Sequence, residues 1–254
     1  MSACLMVSLT RDSILRGALV LEQPRCGYRF TADPLLLADF MSAHGRRPRA
    51  GPLSLCDLGA GCGVLGLALL VRVPQAKLVA VELQARLAGL ARSNVLQNGL
   101  SERAQVLELD LADPRQARRL PGGRFDWAVS NPPFQPLGRG HVNPDAEAAI
   151  ARHEVRLPLA RLCAELRRAL VPLGQAAVIY PASRLDELCT MANREKLATR
   201  IVQPIAGRAG EPANRVMVLF EKGRAPGGMK LLAPLVEHDA DGAPSAALRH
   251  ATDG

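Results

Sequence analysis

Asp57-Leu58-Gly59-Ala60-Gly61-Cys62-Gly63 sets a carboxylate and then three alternate glycines between two apolar stretches, 53–57 and 64–72. The first stretch has strand length and the second has helix length, with Pro74 closing it. Glycine turns tightly at no Cβ penalty and lets a ligand approach the backbone. A strand, a glycine turn and a helix in that order open a parallel α/β sheet, whose ligands sit at the carboxyl ends of its strands. Dinucleotide-binding turns at this place read GxGxxG and seat a pyrophosphate on the helix N-terminus. Here the spacing is GxGxG and an acid ends the strand. Asp57 would repel a phosphate but suits the cationic α-amino group of an amino acid.

Downstream the alternation continues. Residues 77–82 (KLVAVE) read as a buried strand, 84–98 as a helix closed by Gly99, 104–110 as a third strand and 125–130 (FDWAVS) as a fourth. Apolar residues at helical spacing (Leu159, Leu162, Cys163, Leu166, Leu170) predict a helix over 154–171, followed by a strand at 175–180 and a helix at 183–192. Segments 200–205 and 215–221 are strands with only a Gly/Pro/Asn loop between them, so they should pair as a hairpin, one of them antiparallel near an edge. Strands alternating with helices imply a mostly parallel sheet with right-handed crossovers and helices on both faces. Upstream, 17–21 reads as a short strand, 23–27 as a turn, 35–40 as a helix with Pro34 in its first turn, and 44–52 as a basic loop. The chain thus divides into an N-terminal cap (1–50), a main domain (51–222) and a tail rich in Gly, Pro and Ala (223–254), expected to be at best partly ordered.

Two more acids stand at strand ends. Glu82 ends the second strand, where a carboxylate can accept both hydroxyls of a ribose. Asp110 ends the third, placed to accept from an adenine amino group. Singly these are weak signals; three acids on successive strand ends after GxGxG point jointly to a nucleoside-bearing amino acid. Asn131-Pro132-Pro133-Phe134 ends the fourth strand. The prolines fix φ and hold Asn131 extended, which aims its amide. The Asn131 side-chain oxygen and the Pro132 carbonyl can accept both hydrogens of an NH2 group, and Phe134 offers a stacking face for a flat group.

Composition bounds the rest. At 254 residues and 48% hydrophobic, the chain can bury a full core without metals or disulfides. Aromatics are only 3%, too few for a base-stacking sheet of the RNA-recognition-motif kind. A net charge of +8 and a pI near 9.7 favour a polyanionic partner. The six cysteines form no CxxC pair and no zinc-ligand spacing, so no metal is expected and they read as small core residues in a reducing compartment. No apolar run reaches the ~18 residues of a membrane span and the first residues lack a secretory pattern, so a cytoplasmic protein is expected, with no membrane partner.

With these motifs the chain resembles the class I, Rossmann-like methyltransferases that carry an NPP[YF] turn, and within them the tRNA (adenine-N6)-methyltransferases acting on valine tRNA. The resemblance covers most of the chain and rests on QPRCGYRFTADPLLLADF, DLGAGCGVLGLALL, NPPF and GRAGEPANRVMVLFEKG. It implies a seven-stranded sheet with a reversed final hairpin and S-adenosylmethionine over its carboxyl edge, leaving S-adenosylhomocysteine as product. Asp57, Gly59, Ala60, Gly61 and Gly63 would wrap the methionine moiety, Glu82 with Leu83 the ribose, and Asp110 with Leu111 the adenine. Phe30, Thr31 and Asp33 would cap the cofactor, and Asn131, Pro132, Pro133 and Phe134 would hold the target amine, with Asn131 also bordering the cofactor. Relatives often carry tyrosine where Phe134 stands; phenylalanine keeps the face and loses the hydroxyl.

The implied reaction is direct methyl transfer to the amine of an adenine in RNA, with tRNA as partner. Substrate choice would fall to the basic N-terminal region, the 135–152 loop and the tail. His141 and His153 lie near that loop, and a lone histidine is more often surface or core than catalytic. Readings with the same residues are a protein glutamine-amide methyltransferase, an enzyme acting on DNA adenine or on guanine N2 of ribosomal RNA, and a non-catalytic RNA-binding protein retaining the fold.

Overall fold

The computed structural model describes residues 9–25, 31–132 and 157–253 of the chain. It opens with an antiparallel hairpin, β1 (Leu9–Ile14) and β2 (Leu19–Pro24), turning through Leu15, Arg16 and Gly17 at positive φ. Helix α1 (Asp33–His44) follows, with Pro34 in its first turn. Then come β3 (Ser54–Leu58), α2 (Val64–Arg72), β4 (Lys77–Glu82), α3 (Ala85–Gln97), β5 (Ala104–Glu108) and the short α4 (Pro114–Ala117). β6 (Phe125–Ser130), α5 (Leu159–Ala169), β7 (Leu170–Pro181), α6 (Leu185–Arg194), β8 (Leu197–Arg208) and β9 (Arg215–Lys222) complete the central sheet.

The central order is β8-β9-β7-β6-β3-β4-β5, parallel except for β9, which pairs antiparallel with both β7 and β8. The expected final hairpin is therefore present, its reversed strand one place in from the end. Strands bury both faces, which is why they read as near-continuous apolar runs. In β3, Leu55 faces one core, shared with α1 and α2 through Leu37, Leu67 and Leu69. Cys56 and Leu58 face the other, shared with α5 and α6 through Leu162, Leu166 and Leu188. Cys56, Cys62, Cys163 and Cys189 are free thiols, and burial pushes each pKa up.

Several boundaries depart from expectation by a few residues, as in β2, α1 and β8, and three departures matter more. The helix predicted over 154–171 runs as Leu159–Ala169 among the described residues, because the chain becomes β7 at Leu170. β7 starts five residues before the predicted strand and kinks at Leu173 (φ 61) and Gly174, where its register against β6 shifts. Residues 223–253, expected to be at best partly ordered, carry β10 (Lys230–Leu231), β11 (Leu235–His238) and α7 (Ala246–Asp253). Both strands pair parallel with the outer edge of β8 and lengthen the sheet beyond seven strands. Helix α7 packs on α1, and Arg72 Nη2 donates to the Ala251 carbonyl at 2.6 Å.

At the amino edge the 45–53 connection is pinned to the sheet. Trp127 is fully buried and its Nε1 donates to the Arg46 carbonyl at 2.8 Å. Gly45 lies so close that an added Cβ would stand 2.5 Å from the indole. Among the described residues, no helix is long and apolar enough to cross a membrane.

Candidate active site

The chain leaves β3 for β4 and β5 on one side, then returns to β6 on the other side of β3. That reversal opens a crevice at the carboxyl ends of β3 and β6, the place where open α/β sheets bind ligands. The register puts the acids and the asparagine on this rim. Asp57 pairs with Ala80 and Val129, so Glu82 and Asn131 each lie two residues further along the neighbouring strands. Glu82 pairs with Glu108, and Asp110 lies two residues beyond that. Adjacent strands are ~4.8 Å apart, so the groups line one edge in sequence.

The glycine turn takes the shape its composition allows. Gly59, Gly61 and Gly63 have φ of 79°, 59° and 93°, all in the left-handed region that side chains resist. Gly59 N and Ala60 N both donate to the Val81 carbonyl at 2.9 Å, strapping the turn to the end of β4. The Glu82 carboxylate braces it further: Oε2 accepts from Gly61 N and Oε1 from Gln84 N, each at 2.8 Å. Each oxygen keeps a second lone pair, which suits a pair of hydroxyls. Among the described residues, no atom lies within 4 Å of a Cβ built at Gly59, so the space above it is open.

Asp57 is buried, with Oδ2 accepting from Gly66 N at 3.0 Å and Oδ1 without a partner among the described residues. Burial raises its carboxyl pKa to about 7, with the Gly66 bond pulling it down and Glu82 pushing it up. An orphaned buried carboxylate oxygen is costly, and a cation at this rim would satisfy it. Because Gly63 caps α2 with no side chain of its own, Asp57 serves from the preceding strand, β3, as the cap of that helix. The donor set therefore fits S-adenosylmethionine: an orphan acid for its ammonium, a second acid for its ribose, and open backbone between them.

Asp110 Oδ1 accepts from Ala112 N at 2.8 Å and its own N–H donates to Gln116 Oε1 at 3.1 Å, a closed turn at the rim. The Leu111 side chain is buried in the second core and its carbonyl accepts from Arg161 Nε at 2.9 Å, while Leu83 is half-buried just after β4. Asn131 and Pro132 are both half-buried. The preceding residue holds them: Ser130 Oγ donates to the Leu58 carbonyl at 2.7 Å, tying the end of β6 to the end of β3. Thr31 is exposed and its hydroxyl accepts from Asp33 N at 3.3 Å. Asp33 is buried and its carboxylate accepts from Arg215, which also bonds Glu237, so it anchors α1 to β9 and β11. Burial raises the Asp33 pKa, with Arg215 opposing. Phe30, Pro133, Phe134, His141, His153 and the 135–152 loop lie outside the described residues.

Sequence reasoning missed the residues that hold the turn from behind. Asn94 is fully buried on α3; its Nδ2 donates to the Cys62 carbonyl at 2.9 Å and to the Glu22 carbonyl at 3.0 Å, while its Oδ1 accepts from Glu22 N at 2.8 Å. One turn on, Asn98 does the same for Val20, accepting from its N–H at 2.9 Å and donating to its carbonyl at 2.7 Å. Four helical residues rise ~6 Å and two strand residues ~6.7 Å, so the two amides match alternate residues of β2 and act as its missing neighbour strand. Gly66 was missed too: a Cβ there would lie 2.7 Å from Leu78 and 3.2 Å from Asp57 Oδ2. The only cue was a pair of asparagines and a glycine inside helical stretches.

A family model of the methyltransferase small domain matches residues 35–153. A tRNA1(Val) (adenine(37)-N6)-methyltransferase from Porphyromonas gingivalis is 33% identical over 180 residues, covering 70% of this chain and 69% of that protein. An enzyme of the same name from Aeromonas salmonicida is 30% identical over 203 residues, 80% of each chain. Among solved structures, a predicted O-methyltransferase, protein Atu636 from Agrobacterium tumefaciens, superposes with a TM-score of 0.65 at 24% identity, covering 86% of this chain and 95% of that one. A methyltransferase from Pyrococcus furiosus superposes at 0.56 with 19% identity, covering 81% and 90%.

Proposed function

The chain belongs to the family of the tRNA1(Val) (adenine(37)-N6)-methyltransferases, and from that premise we propose that it methylates the exocyclic amine of an adenine in tRNA in the cytoplasm. S-adenosylmethionine supplies an activated methyl group, and S-adenosylhomocysteine is the product. Asp57 receives the ammonium of the amino-acid moiety, Gly59, Ala60, Gly61 and Gly63 let it approach the backbone, and Glu82 with Leu83 receives the ribose. Asp110 with Leu111 borders the adenine, and Phe30, Thr31 and Asp33 belong to the N-terminal cap, 1–50, over the main domain, 51–222.

The Asn131 side-chain oxygen and the Pro132 carbonyl accept the two hydrogens of the target amine, turning the nitrogen lone pair toward the methyl donor. Pro133 keeps the turn stiff and Phe134 stacks on the base. Alignment of reacting atoms is worth several kcal/mol, and this turn contributes a part of it. The observation that carries the reading is the unpartnered oxygen of Asp57 on β3, one strand from Asn131, with Ser130 tying the two strand ends together.

Nucleoside mass spectrometry tests it. Unmodified tRNA incubated with the protein and S-adenosylmethionine should gain N6-methyladenosine, and an Asn131→Ala variant should lose roughly a hundredfold in kcat with cofactor affinity kept. Methyl label appearing in a glutamine amide of protein instead, with tRNA unlabelled, overturns the substrate.

A further inference from the structure

The rim that holds the cofactor candidates is acidic, with Asp57, Glu82 and Asp110 side by side, yet the chain carries a net charge of +8. Arg46 of the 45–53 connection and Arg224 of the tail's first turn, far apart in sequence, meet at the opposite, amino edge of the sheet, joined by Arg200 of β8. Their meeting point is Glu221, only 3% exposed at the end of β9. Arg46 reaches it at 2.8 Å, Arg200 at 3.3 Å and Arg224 at 3.7 Å, and the side chains of Arg46 and Arg224 are half-exposed. Lys222 follows on the other face of β9, where its Nζ donates to the Leu170 carbonyl at 2.5 Å. Arg47 and Arg49 are exposed on the same connection as Arg46.

Among the described residues, three guanidiniums on one carboxylate leave an excess of two positive charges, and backbone carbonyls hold two of them in place, Leu173 accepting from Arg46 Nη2 and Gly227 from Arg200 Nη1, each at 2.6 Å. A planar guanidinium fork matches a phosphate oxygen pair. Beside the cluster is a cavity of about 210 Å³ lined by Asn193, Lys196, Leu197, Ala198, Gly223 and Arg224. That is below the ~300 Å³ typical of pockets that enclose a whole small ligand.

We propose that this amino edge, centred on the Glu221 arginine cluster and the adjoining cavity, is a docking surface for the phosphodiester backbone of RNA. It would hold a part of the RNA away from the target base, since a six-residue strand such as β6 separates the two rims by ~20 Å. The inference rests on the reading of RNA as substrate.

The test is the salt dependence of binding. Arg47→Gln, Lys196→Asn and Arg224→Gln combined leave Arg46 and Arg200 on Glu221 and touch none of the cofactor residues. With full-length unmodified tRNA between 50 and 200 mM salt, the triple variant should bind about tenfold or more weaker at the low end, and the slope of log affinity against log salt should shrink by about 2. Its kcat at saturating tRNA and its S-adenosylmethionine affinity should match the parent's. Should loss of Arg224 disturb the corner, the Arg47→Gln and Lys196→Asn pair gives the same test with every partner of Glu221 in place. A parent that methylates tRNA, with affinity and slope unmoved by the substitutions, overturns the docking surface alone. A parent that neither binds nor methylates tRNA overturns the substrate reading and this surface together.

Discussion

Asp57 combines a pKa raised to about 7 with an oxygen that has no hydrogen-bond partner, and the two properties set opposite pH dependences. In the unfolded chain this carboxyl titrates near 3.8. Between there and about 7 the unfolded form is ionised while the folded form keeps its proton, so folding takes up a proton. Stability of the ligand-free protein should therefore fall as pH rises through that window and level off above it. Binding of a cationic ammonium favours the ionised form, so S-adenosylmethionine affinity should rise between pH 5.5 and 7. Calorimetry in buffers of different ionisation enthalpy should show proton release there. Asp57→Asn should flatten that pH dependence and weaken the cofactor by about 1.5–3 kcal/mol, the worth of a hydrogen bond to a charged group. Unchanged affinity in the variant would leave Asp57 only its role as cap of α2. Gly66→Ala should cost ~1–3 kcal/mol of stability, because the new methyl meets Leu78 at the back of the turn; a thermal melt reads this directly. Asp57 and Glu82 were legible in the sequence because each stands at the end of an apolar run beside its own turn. Gly66 and Ser130 were not, since their reasons are Leu78 and the Leu58 carbonyl, contacts that no local pattern displays.

At the scale of elements, the central strands were read correctly because burial on both faces writes itself as unbroken apolar residues. The first strand of the N-terminal hairpin and the tail strands were not, although 17–21 was read as a strand where β2 (Leu19–Pro24) lies. β1 alternates in burial along a polar sequence, LTRDSI, and β10 has only two residues. These elements exist through their neighbours, namely the amides of α3 for β2 and the outer edge of β8 for β10 and β11. The α3 amides also make a specific prediction. Asn94→Ala and Asn98→Ala each free one residue of β2, but only Asn94 also holds the Cys62 carbonyl of the glycine turn. Both variants should lower the thermal midpoint, while only Asn94→Ala should raise KM for S-adenosylmethionine severalfold at near-normal kcat. An equal effect of the two on KM would mean that the hairpin, and not the turn, transmits the change.

On the scale of the whole molecule, the last thirty residues behave as part of the fold. β11 brings Glu237 to Arg215, which in turn holds Asp33 at the start of α1. α7 covers α1 through Leu248 and Ala251, both buried. Truncation after residue 222 should therefore uncover the β8 edge and one face of α1 together. The shortened protein should melt lower and self-associate, as exposed edge strands do, with light scattering and size-exclusion chromatography as the readouts. An unchanged melt and a monomeric profile would return these residues to the status of an accessory tail.

Trp127 is the chain's single tryptophan, and it sits fully buried at the amino edge with its N–H on the Arg46 carbonyl. Its ultraviolet emission thus comes from one known place, uncontaminated by other indoles. Excited near 295 nm, the protein should carry a native optical gauge of that corner. A ligand drawing on the Arg46 guanidinium would tug the backbone oxygen on which the fluorophore rests and shift its intensity or wavelength, whereas a ligand confined to the glycine turn should leave the signal nearly still.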